Sequence, residues 1–167
     1  MDIIQLNDPK EIKSFIETSD YQVTSYLYKI PQQFTEFDQL LEEAIDNPGA
    51  FAITEDSQIK ALIFAIPCET YKFKVIGPFI ETNFTLTPEL FQQLFDAMIA
   101  GQPDHAVYHF SFEEGVQTYK PFVKQIQASY NFTDYYLEAH QDIGELSSEQ
   151  NIIEYQKGCL LYTSPSP

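Results

Sequence analysis

"YKFKVIGPFIETNFTLTPELFQQLF", residues 71–95, decides the fold, because it holds a strand, a break and a helix start in succession. "YKFKVIGPFI" (71–80) alternates polar and apolar residues in its first half, the period of a half-buried strand. Gly77-Pro78 then interrupts it. Proline donates nothing to a ladder, so this point suits an edge or a bulge and not a regular central strand. Thr87-Pro88-Glu89 marks a helix start: a hydroxyl able to cap, then proline at the first helical position. Leu90, Phe91, Leu94, Phe95, Met98 and Ile99 continue at helical spacing.

The same signals recur on either side. Upstream, "MDIIQLN" predicts a first strand, and Asp8-Pro9-Lys10-Glu11 repeats the cap-then-proline start, with Glu11 placed as in a capping box. Ile12, Phe15 and Ile16 follow at helical spacing. A second helix is expected from near Thr35, with Phe37, Leu40, Leu41, Ala44 and Ile45 as its stripe and "NPG" (47–49) as its stop. "AFAIT" (50–54) and "IKALIFAI" (59–66) flank "EDSQ", a hairpin signal. Downstream, "HAVYHFSF" (105–112) reads as a strand with Ala106, Tyr108, Phe110 and Phe112 on one face. Val116, Tyr119, Phe122, Val123 and Ile126 form a fourth helical stripe, and "FTDYYLEAH" (132–140) is a last strand. The order β-α-α-β-β-β-α-β-α-β predicts an α/β layer structure with a mixed sheet, antiparallel at first and with crossover helices later.

Composition narrows the function classes. The chain has 167 residues, enough for one ordinary domain, and its 44% apolar content argues against disorder. No apolar run approaches the ~20 residues that span a bilayer. The start carries no basic-then-apolar secretion signal, so a soluble, cytoplasmic protein is expected. A net charge of −16, from 25 acidic and 9 basic residues, argues against nucleic acid and anionic membranes as partners. Cys68, at a strand end and followed by Glu69, reads as a structural cysteine and not a nucleophile. His105 and His109 lie four apart on one strand, ~13 Å from each other, too far to share a metal.

Beyond residue 140 the pattern changes. "QDIGELSSEQ" (141–150) reads as a linker, and "NIIEYQKG" (151–158) as the opening of a truncated second domain. Residues 145–158 are expected to lack order alone, since a lone strand start buries little. "CLLYTSPSP" (159–167) carries no charge and no period. It matches the conceptual translation of a transposase sequencing adaptor and is set aside as an artefact tail. Native protein is then expected to stop near Gly158, with the gene continuing.

Across residues 1–140 the order of elements resembles the GNAT N-acetyltransferase superfamily. The features that carry the likeness are the paired helices after strand one, the hairpin at 50–66, the strand ending "VIGPFI", and "SYNFTDYYLE" as the family's "GF" and final strand. The resemblance implies a GNAT-like mixed sheet and acetyl-CoA chemistry. In the family, the pattern V-x-P-x-x-(R/Q)-x-x-G-x-(G/A) lets backbone amides and a helix N-terminus hold the cofactor's pyrophosphate. Counted from Ile76-x-Pro78, the basic position falls on Glu81 and the glycine positions on Phe84 and Leu86. A carboxylate there repels phosphate, side chains stand where glycine is wanted, and Pro88 has no N–H to give. The family's general-acid tyrosine, four residues before "GF", falls on Gln127 when Asn131-Phe132 takes the "GF" place.

What the resemblance implies is therefore a non-catalytic first domain (1–140) of a tandem GNAT-like protein, with no cofactor of its own. Its partner would be a C-terminal GNAT domain of the same chain, absent from this sequence, carrying the acetyl-CoA-dependent N-acyl transfer. The alternative is an active single-domain N-acetyltransferase with an atypical cofactor loop. Acetyl-CoA would then lie on the backbone around Ile76, Pro78 and Ile80, with Glu113, Glu114 or Tyr119 as the proton-transfer groups. A third reading is an acidic binding module for a basic protein.

Overall fold

In the computed structural model the described residues are 1–20, 24–25, 37–113, 115–139 and 146–157, those beyond 130 by backbone alone. Their elements run β1 (Asp2–Leu6), α1 (Pro9–Thr18), α2 (Phe37–Asp46), β2 (Ala50–Glu55), β3 (Gln58–Glu69), β4 (Lys72–Ile80), α3 (Pro88–Ile99), β5 (Val107–Glu113), α4 (Lys120–Gln125), β6 (Ala128–Ala139) and β7 (Leu146–Lys157). The strands form one seven-stranded sheet in the order β1-β2-β3-β4-β5-β7-β6. Every neighbouring pair is antiparallel except β4 and β5, which are parallel. This is the expected α/β mixed sheet with one strand more.

Local chemistry sets the elements. Asp8 caps α1 by accepting from the Lys10 amide at 2.9 Å, and Thr87 caps α3 by accepting from the Leu90 amide at 3.2 Å. Asp56 and Ser57, with φ of 51° and 64°, make the two-residue turn of the β2–β3 hairpin. The β3–β4 register shifts between Leu62 and Phe64, opposite Gly77, which is the bulge that Gly77-Pro78 announces.

The sheet is covered on both faces, so β3 reads as a continuous apolar run. Its alternation still sorts side chains. Ala61, Ile63 and Ala65 pack with Phe91, Leu94, Phe95 and Met98 of α3, while Leu62 and Phe64 pack with Ile12, Ile16, Leu41 and Ala44 of α1 and α2. Ala106, Tyr108, Phe110 and Phe112 of β5 all join the first cluster, as their shared parity predicts. Burying each such phenylalanine contributes about 2–3 kcal/mol.

Two readings of the C-terminal region need correction. Residues 146–157 form β7, which pairs with β5 over Tyr108–Glu113 and with β6 over Ala128–Ala139. The expected linker thus overlaps a strand, and the expected opening of a second domain lies inside this sheet, where two neighbours satisfy its backbone. The strand expected at 132–140 starts earlier, at Ala128. Residues 140–145 and 158–167, including the suspected adaptor tail, lie outside the described residues, as does Thr35.

Tyr108 carries a buried polar group. Its ring packs against Phe73 and Phe95, its buried hydroxyl has no hydrogen-bond partner among the described residues, and burial pushes its pKa up to about 12. A buried hydroxyl without a partner costs about 1–3 kcal/mol. Tyr108→Phe should therefore raise the melting temperature, by the equivalent of about 1 kcal/mol. A clear fall on thermal denaturation would contradict this.

Candidate functional site

A split runs between β4 and β5. The two strands pair only over Lys72–Lys74 with Val107–His109, although β4 continues to Ile80 and β5 to Glu113. Beyond Lys74 the outer edge of β4 is therefore not bonded to β5. The positions expected to hold a cofactor lie on this stretch.

That edge is taken by the chain's own residues. The Ser25 amide donates to Gly77 O at 2.9 Å, and the Gly77 amide returns a bond to Ser25 O at 3.2 Å. Asp20 exchanges the same pair of bonds with Ile80, at 2.6 and 3.4 Å. Thr24 Oγ1 donates to Pro78 O at 2.7 Å. Ile76 pairs with Phe64 of β3 on the other side. From the far bank, the Ser111 amide of β5 donates to Ser25 Oγ at 2.7 Å. Thr24, Ser25 and Ser111 are all buried.

In the turn from β4 into α3, several polar groups are already engaged. Of the amides at the head of α3, Pro88 has none, Leu90 gives its own to Thr87 Oγ1, and Phe91 gives its own to Thr87 O. In the turn, the Glu81 amide goes to Lys60 O and the Phe84 amide to Glu81 O. Lys60, the cation beside the turn, is bound by the Glu81 carboxylate at 3.0 Å and by Gln58 Oε1 at 3.3 Å. Glu81 therefore acts by neutralising that cation. Phe84 and Leu86 turn toward the core, so their side chains do not block a ligand, contrary to the steric expectation. A diphosphate here would meet a proline at the first helical position, a Leu90 amide already taken by Thr87 and a Lys60 already paired.

The candidate proton-transfer groups are not assembled. Glu113 is exposed at the end of β5, and Glu114 lies outside the described residues. Tyr119 is 1% exposed and stacks on Phe112 with ring centroids 4.0 Å apart, so it serves the core. Gln127 is not on a helix. It is the left-handed residue after α4, with φ of 58°, and Asn131-Phe132 lie within β6.

Other singled-out residues sit apart. Cys68 is at a strand end as expected, but exposed and not buried. His105 stacks edge-on against Tyr71 at 4.9 Å. His109 is buried near the split. Burial holds its pKa down at about 4, helped by Lys74 and Lys72 and opposed by Glu69. Among the described residues no three His, Cys, Asp or Glu side chains converge to hold a metal, and no helix is long and apolar enough to cross a membrane.

Sequence reading missed Thr24, Ser25, Ser111 and Lys60. Thr24 and Ser25, between α1 and α2, carry no local sign of a distant strand edge, and the strands holding Lys60 and Ser111 carry none of the partners these residues take.

The fold, as distinct from the site, is that of the GNAT N-acetyltransferases. A Bacillus subtilis acetyltransferase solved with coenzyme A superposes at a TM-score of 0.63 and 10% identity, over 95% of this chain and 98% of that one. A ribosomal-protein-alanine N-acetyltransferase from Brucella melitensis gives 0.63 and 10%, over 94% and 99%. A Salmonella typhimurium protein, described as an acetyltransferase with its cofactor acetyl-CoA, gives 0.63 and 11%, over 99% and 97%. No protein-family model and no curated protein matches the sequence. The shared architecture is clear, and identities this low carry it alone. One of these structures holds coenzyme A and another acetyl-CoA.

Proposed function

We propose that this chain is a non-catalytic GNAT-fold domain that supports an acetyl-CoA-dependent N-acyltransferase domain and does not transfer the acyl group itself. The observation that carries the reading is the head of α3, where Pro88 removes one donor and the Thr87 side chain takes that of Leu90. A diphosphate needs several convergent amides or cations to offset its desolvation. Lys60 is already committed to Glu81. The supported domain would be a second unit of the same fold encoded beyond residue 158, so reading the gene past that codon tests the tandem arrangement.

A second reading, an active single-domain acetyltransferase, draws on the β4–β5 split and on the near-complete coverage of relatives. One titration separates the two. A site with a Kd near 10 μM would stabilise the chain by ~2.7 kcal/mol at a hundredfold excess of acetyl-CoA. The expected result is an unchanged melting temperature; a shift of several degrees would favour the enzyme.

A further inference from the structure

A strand edge with unpaired N–H and C=O groups recognises any extended chain that carries amides at matching intervals. The outer edge of β4 beyond Lys74 would be such a template, and the pantetheine arm of coenzyme A, with its two amides, would be such a chain. Here Gly77, Pro78 and Ile80 are already served from within. We infer that Thr24 and Ser25 act as an internal latch, seated in the β4–β5 split in place of an amide-bearing ligand and holding it shut.

Three features set this apart from an incidental loop contact. The bonds to Gly77 run in both directions, as in a true antiparallel pair. Ser25 is fully buried, and its side chain reaches the opposite strand to accept from the Ser111 amide, so one residue joins both banks. Thr24 adds a buried side-chain bond to the carbonyl of Pro78. A ligand entering the split must break all of these, including the bond from the Ser111 amide to Ser25 Oγ, which low-dielectric surroundings make costly.

The latch rests on the same edge as the non-catalytic reading but stands on different residues, so the two fail separately. Acetyl-CoA gripped through its diphosphate, with Gly77 and Ser111 still protected, would sink the reading above and spare the latch. The test is amide hydrogen exchange by NMR on the full chain and on Ser25→Ala, each with and without pantetheine, which has no diphosphate. In the native chain the Gly77, Ile80 and Ser111 amides should exchange at least ~100-fold more slowly than Gly101 in its open turn. Ser25→Ala should cut the protection of Ser111 about tenfold or more while leaving Leu62 unchanged. Millimolar pantetheine should then shift Gly77 and Ile80 in the variant and not in the native chain. Fast exchange at Gly77 and Ser111 in the native chain overturns the inference, as does an equal response, or none, from both proteins. Should the variant fail to fold, native exchange and a native pantetheine titration still decide, since shifts at Gly77 would show an unlatched edge.

Discussion

Replacing Gly77 with alanine should destabilise the chain by about 3 kcal/mol or more, lowering its melting temperature by roughly 10 °C. Gly77 has φ of +116°, a region that L-residues avoid. An added Cβ would also stand 2.9 Å from the Leu62 carbonyl oxygen and 3.3 Å from the Ile63 Cα. Both are backbone atoms of the adjacent central strand, so neither can swing aside. Relief would require β4 to back away from β3, and that would pull Gly77 off Ser25 at the same time. Gly101 supplies the control. Its Cβ would meet nothing within 4 Å and its backbone is unstrained, so Gly101→Ala should stay within about 0.5 kcal/mol of the native chain. Similar melting temperatures for the two variants would show that the bulge yields and that the split is not held as described.

Gly77 also marks how far the sequence could be read. The break at Gly77-Pro78 was legible because two residues with special backbone demands sit within an alternating run, and the structure answers with a bulge. The caps at Asp8 and Thr87 and the turn at Asp56-Ser57 were legible for the same reason: each depends on neighbours in the chain. β7 was not. "NIIEYQK" reads as strand, but its insertion between β5 and β6 rests on pairings with residues up to fifty positions away, and no local signal encodes a partner. The site divides along the same line. That Phe84 and Leu86 stand where the resemblance expects glycine, and that Pro88 opens the helix, could be counted directly. That Glu81 would neutralise Lys60, and that Ser25 would bridge two separating strands, are facts of tertiary contact. Gln127, expected on the fourth helix, is instead the left-handed residue that follows α4.

His109 should make the chain's stability fall as pH drops from 6.5 toward 4. It lies on the face of β5 opposite Tyr108 and is 8% exposed, with its pKa lowered to about 4 first by burial and then by Lys74 and Lys72, while Glu69 opposes them. In the unfolded chain an imidazole titrates near 6.5. Above that pH it is neutral in both states, and the full stability is present. Below it, the unfolded chain takes up a proton that the folded chain refuses, so stability falls by about 1.4 kcal/mol per pH unit. The loss levels off near pH 4, where the folded imidazole protonates too, at a total of about 3 kcal/mol. Carboxylates begin to titrate in the lower part of this window, and with 25 of them their protonation relieves self-repulsion in the opposite direction. The clean measurement is therefore a difference. Urea unfolding of the native chain and of His109→Gln at pH 7.5, 6 and 5 should show the native chain losing about 2 kcal/mol relative to the variant by pH 5. A difference that stays flat across that range would mean that His109 is charged in the fold, with a carboxylate or water close enough to hold its proton. The buried bank of the split would then be wetter and more open than the bonds around Ser25 allow.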